Sequence, residues 1–125
     1  MFAIANPKTS PYVLAAKEIL YHYKLYNMLQ KKLVFGESIT QTNQFIMTLS
    51  ADIGFTAKSA VLSDEMKGKG SWVELDHKAY SDIEQAAVLL KHGVETNKEA
   101  SAKFYAYLFS AEATKIYKLF GDVVK

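Results

Sequence analysis

Two short stretches carry residue types that could do chemistry. In "NPKTSPY", residues 6–12, Ser10 suits a helix N-cap and Pro11 the first helical position, where a missing N–H costs nothing. In "GESITQT", residues 36–42, Ser38 and Gln41 match the S-x-x-Q capping box, with Gln41 expected to reach back to Ser38. Each pattern leaves first-turn amides without an intrahelical acceptor: Tyr12 in the first, and Ile39 in the second with the Thr40 hydroxyl beside it. A helix N-terminus stabilises a nearby anion by about 0.3–1 kcal/mol, and up to ~2 kcal/mol when partly buried. Two such turns opening on one crevice would hold a small oxyanion with neutral donors.

The remaining chemically capable residues are better explained as structure. His22, His77 and His92 share no metal-ligand spacing, and no Ser–His–Asp arrangement can be argued from them. Asp52, Asp64 and Glu65 read as solvated loop carboxylates. "KGKGS" lacks the spacing of a Walker loop and reads as a hinge or hairpin loop. Tyr21, Tyr23 and Tyr26 fall at mixed helical phases, as packing residues do. With no cysteine there is neither a disulfide nor a thiolate metal site. No catalytic centre, resident cofactor or metal is expected.

The elements that must position the two turns follow from the apolar pattern. Phe2–Ala5 is a short buried run closed by Asn6-Pro7 and reads as a strand. From Pro11, Val13, Leu14, Ala16, Ile19, Leu20 and Tyr23 recur at helical spacing, predicting a helix that ends near 27–30. Strands are predicted at Leu33–Phe35, Asp52–Thr56, Trp72–Leu75 and Ile83–Leu90. Helices are predicted after Ser38, at Ala57–Leu62, after an Asn97 cap, and from Ser110 to a stop at Gly121. The loop "SDEMKGKGSW", residues 63–72, is the expected flexible connection. Strands alternating with helices imply an α/β fold with a mostly parallel sheet, whose ligand sits at the carboxyl ends of the strands.

At 125 residues the chain is one domain by length, or a piece of a larger protein. Half of it is apolar and 22% charged, so it has the means to build a core. The net charge of +2 comes from scattered lysines, with no arginine. That argues against nucleic-acid binding, which favours arginine forks and a concentrated basic face. No apolar stretch approaches the roughly 20 residues of a membrane span. No signal-peptide pattern precedes the strand at Phe2, as expected of a piece cut from a longer protein.

Taken together, "FAIANPKTSPYVLAAKEIL", "KLVFGESITQTNQF", "SADIGFTAKSAVL" and "FYAYLFSAEATKIYKLFGD" resemble the C-terminal half of the periplasmic molybdate-binding proteins of ABC importers. Four blocks in order cover essentially the whole chain. The resemblance implies a type II periplasmic-binding-protein-like lobe, with a mostly parallel sheet flanked by helices plus two C-terminal helices. Residues 1–92 would form the oxyanion-binding lobe. Residues 93–125 would be helices that in the family return to the other lobe. The implied ligand is molybdate or tungstate, bound as a dehydrated oxyanion, and the implied partner is the ABC transporter permease in the periplasm.

Carried across position by position, the main-chain donors are Tyr12, after Pro11, and Ile39, after Ser38. The turn after the "GF" strand offers a tyrosine hydroxyl in some members; here Ala57 stands there, with Thr56 as a neighbouring replacement. The family's first lobe, with its serine donors, is not represented in these residues, so weak affinity is expected of them alone. Their apolar helix faces should pack on that missing lobe, repack on their own lobe, or trade places between two copies in a swapped dimer. The alternative readings are a ligand-sensing effector domain of the same fold and a non-binding interaction domain.

Overall fold

Phe2–Ala5 (β1) places Ala3, Ile4 and Ala5 out of contact with solvent, the burial of a strand covered on both faces. The computed structural model describes residues 1–6 and 12–124. They fall into two compact units, Met1–Ile83 and Glu84–Lys125. Residues 84–92, assigned to the lobe from the sequence, group with the second unit.

The first unit is an α/β layer structure. β1 is the middle strand of a parallel sheet of order β2-β1-β3, with Leu33–Gly36 (β2) and Ile53–Gly54 (β3) on its flanks. Phe2 pairs with Leu33 and Ala5 with Gly36 on one side, and Phe2 with Ile53 and Ala3 with Gly54 on the other. Tyr12–His22 (α1) buries Val13, Ala15, Ala16, Ile19 and Leu20 along one stripe. Ile39–Met47 (α3) lies across all three strands. The fit is close at Gly54, where a Cβ would stand 2.7 Å from the Ala3 carbonyl oxygen and 2.8 Å from Ile46 Cδ1. Only a residue without a side chain lets α3 come down this far.

The first helix stops earlier than its periodicity predicts. Leu25 N–H donates to the Leu20 carbonyl at 2.7 Å and Lys24 N–H to Tyr21 at 2.9 Å, with Lys24 at φ +58°. That is a Schellman stop with lysine where glycine usually sits. A short helix, Tyr26–Leu29 (α2), and a 3₁₀ turn at Gln30–Lys32 then lead into β2. Lys58–Val61 (α4) follows β3, and a second 3₁₀ turn occupies His77–Ala79.

Two predicted strands are absent. Neither Trp72–Leu75 nor Ile83–Leu90 pairs with another strand, and Val73 and Val88 are 82% and 78% exposed. A short apolar run becomes a strand only where a neighbour supplies the other half of the ladder. The predicted strand Asp52–Thr56 is likewise reduced to Ile53–Gly54.

The second unit contains Lys91–Thr96 (α5), Lys98–Leu108 (α6) and Ala111–Leu119 (α7). Asn97 stands at the N-cap of α6 but makes no side-chain cap bond there, contrary to expectation. Ser101 Oγ instead donates to the Gly93 carbonyl at 3.0 Å, joining α6 to α5. Ser110 does cap α7, accepting from Ala113 N–H. Gly121, at φ +86°, closes α7 in the predicted place. No helix among the described residues is long and apolar enough to cross a membrane.

Candidate functional site

Because the three strands are parallel, their carboxyl ends share one edge, and each feeds a helix N-terminus there. β1 leads to α1 at Tyr12, β2 to α3 at Ile39, and β3 through Phe55, Thr56 and Ala57 to α4 at Lys58. In the order 2-1-3 the chain steps to opposite sides of the middle strand, and the crevice of such a sheet opens at that reversal.

The α3 turn is built as a cap. Ser38 is extended (φ −144°, ψ 168°), and its Oγ accepts from Gln41 N–H at 3.1 Å. The Ser38 carbonyl accepts from both Thr42 N–H, at 3.0 Å, and Thr42 Oγ1, at 2.9 Å. Thr42 is fully buried, so this pair of bonds satisfies it. The second half of the predicted capping box differs: Gln41 Oε1 accepts from Glu37 N–H at 2.7 Å, one residue before Ser38. Ser38 and Thr40 are exposed and Ile39 half-buried, so this turn faces outward from the sheet edge.

Tyr12 is the first residue of α1 and is half-buried. Pro11, like Ser10, lies outside the described residues. The third turn is half-buried throughout: Ala57 occupies the N-cap position of α4 and offers no side-chain cap, while the Thr56 hydroxyl donates to Asn43 Oδ1. Asn43 stands one turn along α3 from Ile39 and was not a candidate in the sequence. Its spacing from Ile39 places it on the same helix face, but only the fold brings Thr56 to it.

Charge near the third turn is internally neutralised. Lys58 Nζ lies 2.8 Å from both carboxylate oxygens of Glu74, and this hydrogen bond holds the Glu74 carboxyl below its ordinary range. His77 Nε2 is a looser neighbour at 3.8 Å, while its Nδ1 pairs with Tyr80 OH at 3.0 Å. Desolvation, followed by the Glu74 and Asp82 carboxylates, pushes the Tyr80 phenol up. Lys58 beside the third turn is thus paired with a carboxylate.

The profile of the family described as bacterial extracellular solute-binding protein matches residues 1–121, and the chain belongs to that family. Among named relatives, it is similar to the molybdate-binding protein ModA of Rhodobacter capsulatus, 41% identical over 124 residues, or 98% of this chain and 47% of that protein. It is also similar to the molybdate-binding protein ModA of Azotobacter vinelandii, 38% identical over 119 residues, or 95% of this chain and 46% of that protein. The solved structure of the Azotobacter vinelandii periplasmic molybdate-binding protein superposes with a TM-score of 0.87 at 29% identity, over 99% of this chain and 54% of that one. The chain spans about half the length of the curated relatives it matches.

Proposed function

We propose that this chain is one lobe of the solute-binding component of an ABC importer, acting in the periplasm on a tetrahedral oxyanion, molybdate or tungstate. The observation that supports the reading is the shared carboxyl edge of the parallel strands, where β2 runs into the capped first turn of α3. Family membership and the similarity to two molybdate-binding proteins support the ligand class.

In this reading the backbone N–H groups of Tyr12 and Ile39 donate to two ligand oxygens. Pro11 and Ser38 set those helix starts. Thr40 is the nearby hydroxyl, and Thr56 with Ala57 forms the third wall. Neutral donors suit a full dianion. They offer no acceptor for the proton of hydrogen phosphate, and an unpaired polar contact in a dry site costs about 1–3 kcal/mol. The pairing of Lys58 with Glu74 keeps a bare cation from overriding that selection. Binding and release need no bond made or broken, so the role is that of a receptor and not of an enzyme.

A second lobe would supply the remaining donors and cover the second unit. α6 has no buried residue, and Phe109 and Leu119 are 68% and 75% exposed. Faces this apolar are normally covered by protein. Light scattering on the 125-residue chain checks this part: a swapped dimer would replace the lobe as the cover.

Nuclear magnetic resonance titration of the ¹⁵N-labelled chain tests the binding reading even when affinity is weak. Millimolar molybdate or tungstate should move the Tyr12 and Ile39 amide signals saturably, and sulfate should do so less. Equal or stronger shifts with sulfate would contradict the ligand assignment. No shift at either amide with any of the three would remove the site.

A further inference from the structure

Asn6 and Glu37 leave neighbouring strands at the same level. Ala5 pairs with Gly36, and Asn6 N–H donates to the Gly36 carbonyl at 2.7 Å, one rung beyond the paired residues. The Asn6 side chain then reaches across the gap: Nδ2 lies 3.1 Å and 3.2 Å from the two carboxylate oxygens of Glu37. Glu37 N–H donates to Gln41 Oε1 at 2.7 Å, and Gln41 N–H donates to Ser38 Oγ at 3.1 Å. An unbroken run of hydrogen bonds thus connects the end of β1 to the cap of α3.

We propose that Asn6 and Glu37 are positioning residues that set the spacing between the α1 turn at Tyr12 and the α3 turn at Ile39, so that both amides address one oxyanion. The inference rests on the proposed function. Amide donors grip an oxygen only within a narrow range of about 2.7–3.2 Å, so two donors on separate turns need a fixed separation. One residue past the last paired positions of β1 and β2, a side-chain bridge joins Asn6, on the way to α1, to Glu37, which precedes the α3 cap. The bridge sits at a price in charge, since a carboxylate at the rim repels an incoming anion. Both Glu37 oxygens are engaged by the Asn6 amide, which offsets part of that repulsion.

Reversal of the bond provides the test, read by molybdate titration of the ¹⁵N-labelled chain. In the unmodified chain the Tyr12 and Ile39 amides should saturate with one common midpoint. Asn6→Asp sets two carboxylates against each other; the midpoint should weaken at least tenfold, equivalent to about 1.4 kcal/mol, and the two amides should part company. Adding Glu37→Gln to Asn6→Asp restores a bond with the donor on the other side, and should bring back a common midpoint. Asn6→Ala, which removes the bridge without adding charge, should weaken binding by a smaller factor. Glu37→Gln alone keeps an acceptor for Asn6 and removes the charge, so it should bind as well or more tightly.

If the single substitutions at Asn6 leave the midpoint unchanged, or the paired substitution fails to recover it, the bridge has no positioning role while the oxyanion reading stands. If the unmodified chain shows no shift at Tyr12 or Ile39, the oxyanion reading fails and the positioning role falls with it.

Discussion

The hydroxyl of Thr56 donates to Oδ1 of Asn43, one helical turn along α3 from Ile39, and so joins the turn after β3 to the helix that starts after β2. Thr56→Val keeps the shape and deletes the donor, leaving the Asn43 carbonyl oxygen without this partner. A loss of about 1 kcal/mol in unfolding free energy is expected from urea titration. Asn43→Ala combined with Thr56→Val should cost less than the two single losses added together, because both remove one bond. Strict additivity would show that the pair does not interact in solution.

Gly36 is held without a side chain by the first turn of α3. A Cβ there would meet Thr42 Oγ1 at 2.7 Å, the Thr42 backbone nitrogen at 2.8 Å and the Ser38 carbonyl oxygen at 3.2 Å. Gly36→Ala should lower stability by about 1–3 kcal/mol, the usual cost of overpacking. Thr42→Ala should not rescue it, since the backbone nitrogen stays in the way. Full rescue in thermal unfolding would locate the clash in the hydroxyl alone.

Ser38→Ala removes the acceptor of Gln41 N–H at the start of α3. Loss of an N-cap costs about 1 kcal/mol, and Ser38→Gly only a few tenths. The ranking serine, then glycine, then alanine in urea midpoints is the expected outcome. Because the cap also shapes the Ile39 turn, oxyanion-induced shifts at Ile39 should weaken in the same order.

The Lys58–Glu74 pair gives stability a dependence on acid. The hydrogen bond from Lys58 holds the folded Glu74 carboxyl below its ordinary value of 4.5, against a smaller opposing effect of desolvation. A group lowered on folding contributes stability that is complete above its unfolded value and is lost as pH falls through its folded value. Glu74→Gln should therefore unfold at lower urea than the unmodified chain at pH 7, with the gap closing in acid. Salt should narrow it too, since both partners are partly exposed. A gap that is independent of pH would remove the ion pair as its cause.

What was legible in the amino-acid order is what short-range chemistry decides. Ser38 as a cap, Ile39 as the first residue of α3, the buried run Phe2–Ala5 and the Gly121 stop all depend on neighbours a few residues away. The end of α1 was hidden because Lys24 takes a left-handed conformation usually given to glycine, which no local pattern announces. Gln41 was read one position off: its side chain accepts from Glu37 N–H, a choice between successive backbone amides that the capping-box spacing does not specify.

By itself the sequence determined that Ser38 caps a helix, that the charge is lysine without arginine, and that helices alternate with strands around a parallel sheet. The tertiary structure alone decided that Trp72–Leu75 and Ile83–Leu90 stay out of that sheet, and that Asn6 meets Glu37 and Thr56 meets Asn43. The physical reason is distance along the chain. Caps and helix periods are settled within a turn, whereas a ladder or a side-chain bridge exists only once packing has brought remote backbone into register.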